Sequence, residues 1–457
     1  MAELLLELFS EEIPAKLQSA ARANLLTSFK NFFEKENINY KDDAKAFSTP
    51  NRLVLCFKKI EREIHQKSEE IRGPSTKAPD KAIEGFLRSN LIKKVDIYKK
   101  NTEKGEFFFY KKPSRKIKSE DVLKTNIPDI LKNLSWKKSM KWGTHELYWG
   151  RPLKSILAIF DNKPLKFEFH HLSSSNFTYI DKDFEDKTRI FKSINSYFSY
   201  FKKLNVIIDN GLRKKYIKKK LIDLSNKKNL KININEKLLD EVTDIVEKPK
   251  VISCMFDKKY LNIPKEIIAI TMQHHQKYFP TFDNKYNLTN NFFIVADSID
   301  PKNFVKTGNE RVIDARLSDA EFFWNKNKSQ NLVKQISKLK NINYFKGLGN
   351  YYDKVQRLRK LSILISDELL ISKEKIEIAS SICKVDLLSD LVGEFPELQG
   401  VLGGYFAAEQ GFEKEVCAAV SEHYLPVGLE SNIPKKPYSI ALSLSDKIDS
   451  LVGFFGL

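Results

Sequence analysis

The amino-acid sequence predicts an α+β chain of several domains, with mixed α/β N-terminal and middle domains followed by an all-α domain. Three observations carry this. The chain has 457 residues, room for about three domains of ~150 residues. Strand and helix signals alternate from Glu3 to about residue 165. From about Tyr351 few strand signals remain, and amphipathic helices follow one another. The expected domains are therefore 1–165, 166–345 with a basic helical segment at about 187–250, and 346–457.

Taken in order, Glu3 to Phe9 reads as a strand. Ser10 is a candidate N-cap, with Glu11 and Glu12 suited to the positive end of a helix. Leu17, Ala20, Ala21, Leu25, Phe29 and Phe32 hold helical spacing to about Glu36. Leu53 to Phe57 is a strand, Arg72-Gly73-Pro74 a loop and Lys77 to Asn90 a short helix. Phe107 to Lys111 is a strand behind the Gly105 turn, and Ser119 to Leu134 a helix.

Ser135 to Pro152 interleaves Trp136, Trp142, Tyr148 and Trp149 with Lys137, Lys138, Lys141 and Arg151. Such interleaving can stack bases and pair phosphates. The tryptophans read better as core anchors, which leaves the cations open. Further on, Arg213, Lys214, Lys215, Lys218, Lys219 and Lys220 crowd two helical turns, with Tyr216, Ile217, Leu221 and Leu224 as the apolar stripe. Phosphate contact and plain solvation both fit that helix. Leu238 to Val246 is helical and Val251 to Phe256 a strand.

Thr271 to Trp324 has the densest chemistry: His274, His275, Lys277, a strand at Asn291 to Asp297, then Arg311, Arg316 and Glu321. Val312, Ala315, Leu317, Ala320 and Phe323 recur at roughly helical spacing and predict one packed face. Helices are then expected at Lys354 to Leu370, Glu374 to Gly393, Gly400 to Glu409, Lys414 to Tyr424 and from Tyr438 onward.

Composition narrows the class. Lys plus Arg exceeds Asp plus Glu by 78 − 59 = 19, which favours a polyanionic partner, nucleic acid above all. A general bias to Lys, Asn, Ile and Phe explains part of that excess. Cys56, Cys254, Cys383 and Cys417 lack CxxC spacing and read as buried free thiols. Acidic residues interrupt the apolar N-terminus, which resembles no signal peptide, and no stretch approaches ~20 apolar residues. A cytoplasmic chain is expected.

Much chemistry is excluded. There is no GxxxxGK[ST], no GxGxxG before a helix and no HExxH. Adjacent His274 and His275 point apart on a regular helix and cannot share one metal. Glu11, Glu12 and Glu321 have no partner that the sequence places nearby, and no nucleophile, base and orienter assemble.

An ordered set of motifs across nearly the whole chain nevertheless resembles one family. Glu3 to Pro14, with Ser-Glu-Glu-Ile-Pro, resembles the opening strand and turn of the bacterial glycyl-tRNA synthetase beta subunit. Arg72-Gly73-Pro74, Lys81-Ala82 with Gly85-Phe86, Met140 to Gly143 and Arg151-Pro152 look like its next landmarks. Thr271 to Pro280, Gly308 to Val312 and Leu317 to Phe323 are its most specific signature. Lys384-Val385-Asp386 and Val392 to Gly400 resemble its helical domain. The segment Ser174 to Tyr179 departs from the family's Gly-His-Arg-Phe-like stretch, so a contact by that His or Arg has no counterpart here.

The resemblance implies an α2β2 ligase joining glycine to its tRNA. ATP, Mg and glycine sites are expected in the alpha subunit, and no cofactor or catalytic residue in this chain. The family continues into an anticodon-binding part, whereas this sequence stops at Leu457, so a truncated, split or shortened product is expected. The helical domain is similar to the HD phosphohydrolase fold. There Val385-Asp386 takes the place of the His-Asp pair, Asp446 or Asp449 mimics the last ligand, and His423 is the nearby histidine. That set is too poor in histidine for a two-metal site, so no metal is expected. Candidate RNA contacts are Lys141, Arg151, Lys277, Arg311 and Arg316. The alternatives are an HD-type metal-dependent phosphohydrolase and a stand-alone RNA-binding module.

Overall fold

The computed structural model describes residues 1–456 except positions 42, 67, 104, 113, 114, 182–186 and 430. The chain divides into two compact units, Met1–Lys218 with Leu239–Lys250 and Lys219–Leu238 with Val251–Leu457. Both mix helix and strand, and the helices gather toward the C-terminus, an α+β architecture. Among the described residues no helix is long and apolar enough to cross a membrane.

The first unit is built on a seven-stranded sheet. Its order from one edge is Lys45–Thr49, Arg52–Ile60, Ala2–Ser10, Leu153–Phe160, Leu172–Ser175 and Glu168–Phe169, with Lys163–Pro164 also pairing Leu153–Phe160. Ala2–Ser10 runs antiparallel to both neighbours. It reads as an almost unbroken apolar run because both of its faces are covered. Leu4, Leu6 and Leu8 pack with Phe29 and Phe33 of the Ala15–Lys35 helix and with Ile127 and Leu131 of the Ser119–Lys132 helix. On the other face Leu5 joins Val54, Leu157 and Ile159 against Tyr197 and Phe201 of the Ile194–Lys203 helix.

Three expectations for this unit are corrected. Ser10 ends the strand, its N–H donating to the Asn51 carbonyl at 2.9 Å, and Pro14 occupies the cap position of the following helix. Its ring fixes φ at −54° for the turn into the helix, and no side chain caps that end. Arg72-Gly73-Pro74 lies inside the edge strand Glu69–Ser75, where the register with Gly105–Lys112 shifts between Arg72 and Ser75. A bulge in an edge strand tolerates a proline that cannot donate, and a Cβ on Gly73 would stand 2.8 Å from the Phe86 ring. Arg213 is no surface cation. It is fully buried, its Nε donating to the Thr243 carbonyl at 2.8 Å and its Nη2 to the Ser48 carbonyl at 2.8 Å.

The second unit starts from a four-stranded sheet ordered Lys231–Ile232, Phe279–Phe282, Leu288–Ala296 and Lys250–Met255. One core joins it to the helices Phe304–Lys328, Tyr351–Glu368, Lys373–Ile382, Val401–Glu409, Lys414–Glu422 and Pro437–Phe455. Gly403 and Gly404 let helices approach: a Cβ on Gly404 would lie 2.9 Å from the Cys417 carbonyl oxygen.

Two expectations fail here. The Phe304–Lys328 helix buries Ile313, Leu317, Ala320 and Trp324, while Val312 and Ala315 face solvent. Positions 313, 317, 320 and 324 follow the helical period, and 312 and 315 fall off that stripe. The helix expected over Glu374 to Gly393 ends at Ile382. A short 3-10 turn, Val385–Leu388, carries Asp386 inward, and Ser389 caps Asp390–Glu394 through the Val392 N–H at 3.1 Å.

Candidate functional site

The signature segments of the second unit meet in space. Ile267 and Ile268 anchor a short helix, whose continuation Thr271–His275 is a π-helical turn. That wider turn re-aims the chain into the sheet, and such turns recur at functional sites. Tyr278 donates to Asn309 Oδ1 at 2.5 Å, and Glu310 Oε1 accepts the Met255 N–H at 2.8 Å. His274 Nδ1 lies 3.1 Å from Glu397 Oε1, and the His275 ring meets Phe395 edge-on at 5.3 Å. The histidines therefore tie one signature segment to another through a close contact with a carboxylate and a ring contact.

Beneath them the helical region buries a cluster of charges. Asp446 receives Lys354 at 3.0 Å and Lys384 at 3.2 Å. Asp449 receives Lys354 at 3.1 Å and Arg357 at 2.5 Å. Asp386 is fully buried and accepts the Gly400 N–H at 2.5 Å. Burial pushes its carboxyl up to about 6. For Asp446, burial works upward, but Lys384 and Lys354 outweigh it and hold the carboxyl down at about 2. Burial lowers Lys384, with Asp446 only partly offsetting it. His423 is buried with Nδ1 2.6 Å from the Val420 carbonyl, and burial together with Lys384 brings its pKa down to about 3.

These are the positions expected to mimic an HD metal site: Asp386, His423, Asp446 and Asp449. Their chemistry does not fit a metal pair. Two ammonium groups and a guanidinium already answer Asp446 and Asp449, and Asp386 is directed at a backbone N–H. A divalent cation would have to displace matched internal charges. The lysines were the element that sequence reasoning missed, although Lys384 stands beside Asp386 in a quoted motif.

The first unit supplies the other candidate surface. Trp149 is buried, and Trp136 packs on it at 5.2 Å between ring centres. Trp142 is half-buried on the same core. Exposed Tyr148 has the Lys141 ammonium 4.8 Å from its ring centre. The imidazoles of His145 and His171 stack at 3.6 Å and 9°, with Trp142 edge-on to both at 6.1 and 5.7 Å. Partial burial and the neighbouring His145 and His170 lower the pKa of His171, favouring its neutral form. No spacing in the sequence announces the His145–His171 stack, since its rings come from separate loops.

The five proposed contacts divide between the two units. Lys141 is exposed, and Arg151, half-buried, donates to the Gly150 carbonyl at 2.9 Å. They flank the Met140–Trp149 bridge of the first unit. Lys277 is half-buried with a left-handed backbone, φ 59°. Arg311 and Arg316 are exposed on the Phe304–Lys328 helix of the second unit. All four cysteines are free thiols, three of them buried. Burial raises the thiols of Cys254 and Cys383 to about 12, so they behave as small apolar side chains.

Comparison with known proteins agrees with the ordered motifs. The profile of a family described as glycyl-tRNA synthetase beta subunit matches residues 4–457. The chain is 36% identical to the glycine–tRNA ligase beta subunit of Rickettsia felis, covering 99% of this chain and 68% of that protein. It is 37% identical to the Rickettsia typhi counterpart, covering 99% and 67%. The Rickettsia prowazekii counterpart is 36% identical over the same shares, 99% and 67%.

Proposed function

Since the chain belongs to the glycyl-tRNA synthetase beta subunit family, and so to a glycine–tRNA ligase, we propose that it binds tRNA(Gly) and supports glycine attachment catalysed by an alpha subunit. The assembly is α2β2 and cytoplasmic, with ATP and Mg held by alpha and no cofactor held by this chain. The observation that carries tRNA binding is the exposed aromatic and cationic surface around Lys141 over Tyr148, beside stacked His145 and His171. Cations pair phosphates without reading sequence, and aromatic faces take unpaired bases. Lys141, Arg151, Lys277, Arg311 and Arg316 are the proposed phosphate contacts.

Titration of tRNA(Gly) against salt, with and without alpha, tests this reading. Binding is expected to weaken steeply with salt, and charging to require both subunits. Glycine-dependent pyrophosphate exchange by the pure chain alone would overturn it. Equally tight binding of any RNA would favour a stand-alone RNA-binding module. An HD phosphohydrolase is disfavoured by the ammonium groups that answer Asp446 and Asp449. Stoichiometric metal lost on Asp386→Ala would restore it.

A further inference from the structure

A cavity of about 290 Å³ opens on the second unit, walled by Tyr286, Tyr405, Ile263, Ile268 and Leu288, with Lys265 at its lip. Neither the signature contacts nor the buried charge cluster uses it. Its size is near the lower bound of roughly 300 Å³ for small-molecule sites, which suits one flat ring with its sugar.

The walls are preset. Tyr405 donates to Glu266 Oε2 at 2.6 Å, and its ring meets Trp324 edge-on at 6.2 Å. Tyr286 stands at the tip of the turn joining Phe279–Phe282 to Leu288–Ala296. It is 69% exposed and has φ 61°. A bulky side chain rarely adopts that backbone, and such conformations gather where ligands bind. Asp283 holds the turn: its Oδ1 accepts the Lys285 and Asn287 N–H groups at 2.8 Å each, and its carbonyl accepts the Tyr286 N–H at 3.0 Å. The aromatic ring is thus presented to water by a structured turn. Lys265 is exposed and makes no ion pair among the described residues, and Lys285 is exposed beside Tyr286.

A slot that mixes apolar walls with polar groups, an exposed phenol and the Lys265 ammonium among them, matches an unpaired nucleotide, whose base stacks and whose phosphate needs a cation. An aliphatic side chain of a protein partner would use the apolar wall and leave the lysines without a role. We propose that this cavity receives one unpaired nucleotide of the bound tRNA, its base on the Tyr286 ring and its phosphate beside Lys265. The inference rests on the reading that the chain binds tRNA.

The test titrates a tRNA(Gly) transcript against the assembled alpha–beta enzyme. Tyr286→Ala is expected to weaken binding about tenfold, the order seen for loss of one base stack. Tyr286→Phe should bind like the unaltered protein. Lys265→Gln should reduce the salt slope by about one. Because Tyr286 and Lys265 are exposed, the thermal midpoints should not move. Unaltered affinity and salt slope in both Tyr286→Ala and Lys265→Gln, while the parent enzyme still binds, overturns the cavity alone. Weakened alpha association with undiminished tRNA affinity also overturns it, by assigning the cavity to a protein side chain. Failure of the parent enzyme to bind tRNA overturns the functional reading and this inference together.

Discussion

Each unit buries a cluster of charges, and the two are built on different terms. In the first, Arg52 is fully buried between the rings of Phe9 and Phe201, at 4.7 and 4.5 Å. Glu7 lies 3.0 Å away and Glu247 3.8 Å, and Tyr197 donates to Glu7. Burial opposes the charge on Arg52, but Glu7, Tyr197 and Glu247 outweigh it and leave its pKa raised. Arg52 thus answers both carboxylates. In the second unit, Lys354, Arg357 and Lys384 face Asp446 and Asp449, with Asp386 nearby. There the cations are redundant, and losing one leaves others in place. The difference teaches that buried ionisable groups do not by themselves mark catalysis, because both clusters are answered internally.

The largest expected effect falls on the Arg52 cluster. Arg52→Ala leaves Glu7 and Glu247 buried without it and should cost on the order of 3–5 kcal/mol in urea unfolding. Lys354→Met should cost less, about 1.5–3 kcal/mol, because Lys384 and Arg357 still answer the two carboxylates. Equal losses in the two variants would erase the distinction between the clusters.

The pH dependence separates members of the second cluster. His423, depressed from 6.5 to about 3, makes the unfolded chain bind more protons in that window, so stability falls as pH drops through it. Asp386, raised from 3.8 to about 6, makes the folded chain bind more protons between those values, so stability rises as pH drops. The two oppose each other where the windows overlap, at about 1.4 kcal/mol per pH unit each. Stability of His423→Phe should therefore rise on acidification from pH 6 to 4, and that of Asp386→Asn should fall. Chemical denaturation at several pH values reads both, and parallel slopes would refute the assignment.

The smallest stability effects belong to the surface. Arg311→Ala and Arg316→Ala should stay within about 0.5 kcal/mol of the parent. If they touch phosphate, each should lower the salt slope of tRNA binding by about one. A stability loss of several kcal/mol would assign these arginines to the fold.

Much of the fold was legible because period and burial agree. The opening strand, its helix and the late helices carry apolar residues in runs or stripes that sterics interpret locally. The candidate site was less legible. Arg213 sits among lysines in sequence, yet tertiary contacts with Ser48 and Thr243 bury it. Val312 and Ile313 are adjacent and equally apolar, and only packing decides which faces inward. Lys354 and Asp449 are 95 residues apart, so no local pattern could pair them. The ordered motifs identified the family, whereas the contacts among its charges needed three dimensions.

The two-sided burial of the opening strand has a consequence for folding specificity. Leu4, Leu5 and Leu6 fit either face of the sheet, so apolar patterning alone hardly distinguishes the native pairing from one slipped by a single residue. Glu7 breaks that degeneracy. In the native pairing, with Phe9 opposite Arg52, its carboxylate reaches the guanidinium. A slip by one residue would turn Glu7 toward the apolar face packed by Phe29, Phe33, Ile127 and Leu131, leaving an uncompensated charge there. A buried ion pair that adds little net stability can thus act as an alignment key, excluding wrong sheets more than strengthening the right one.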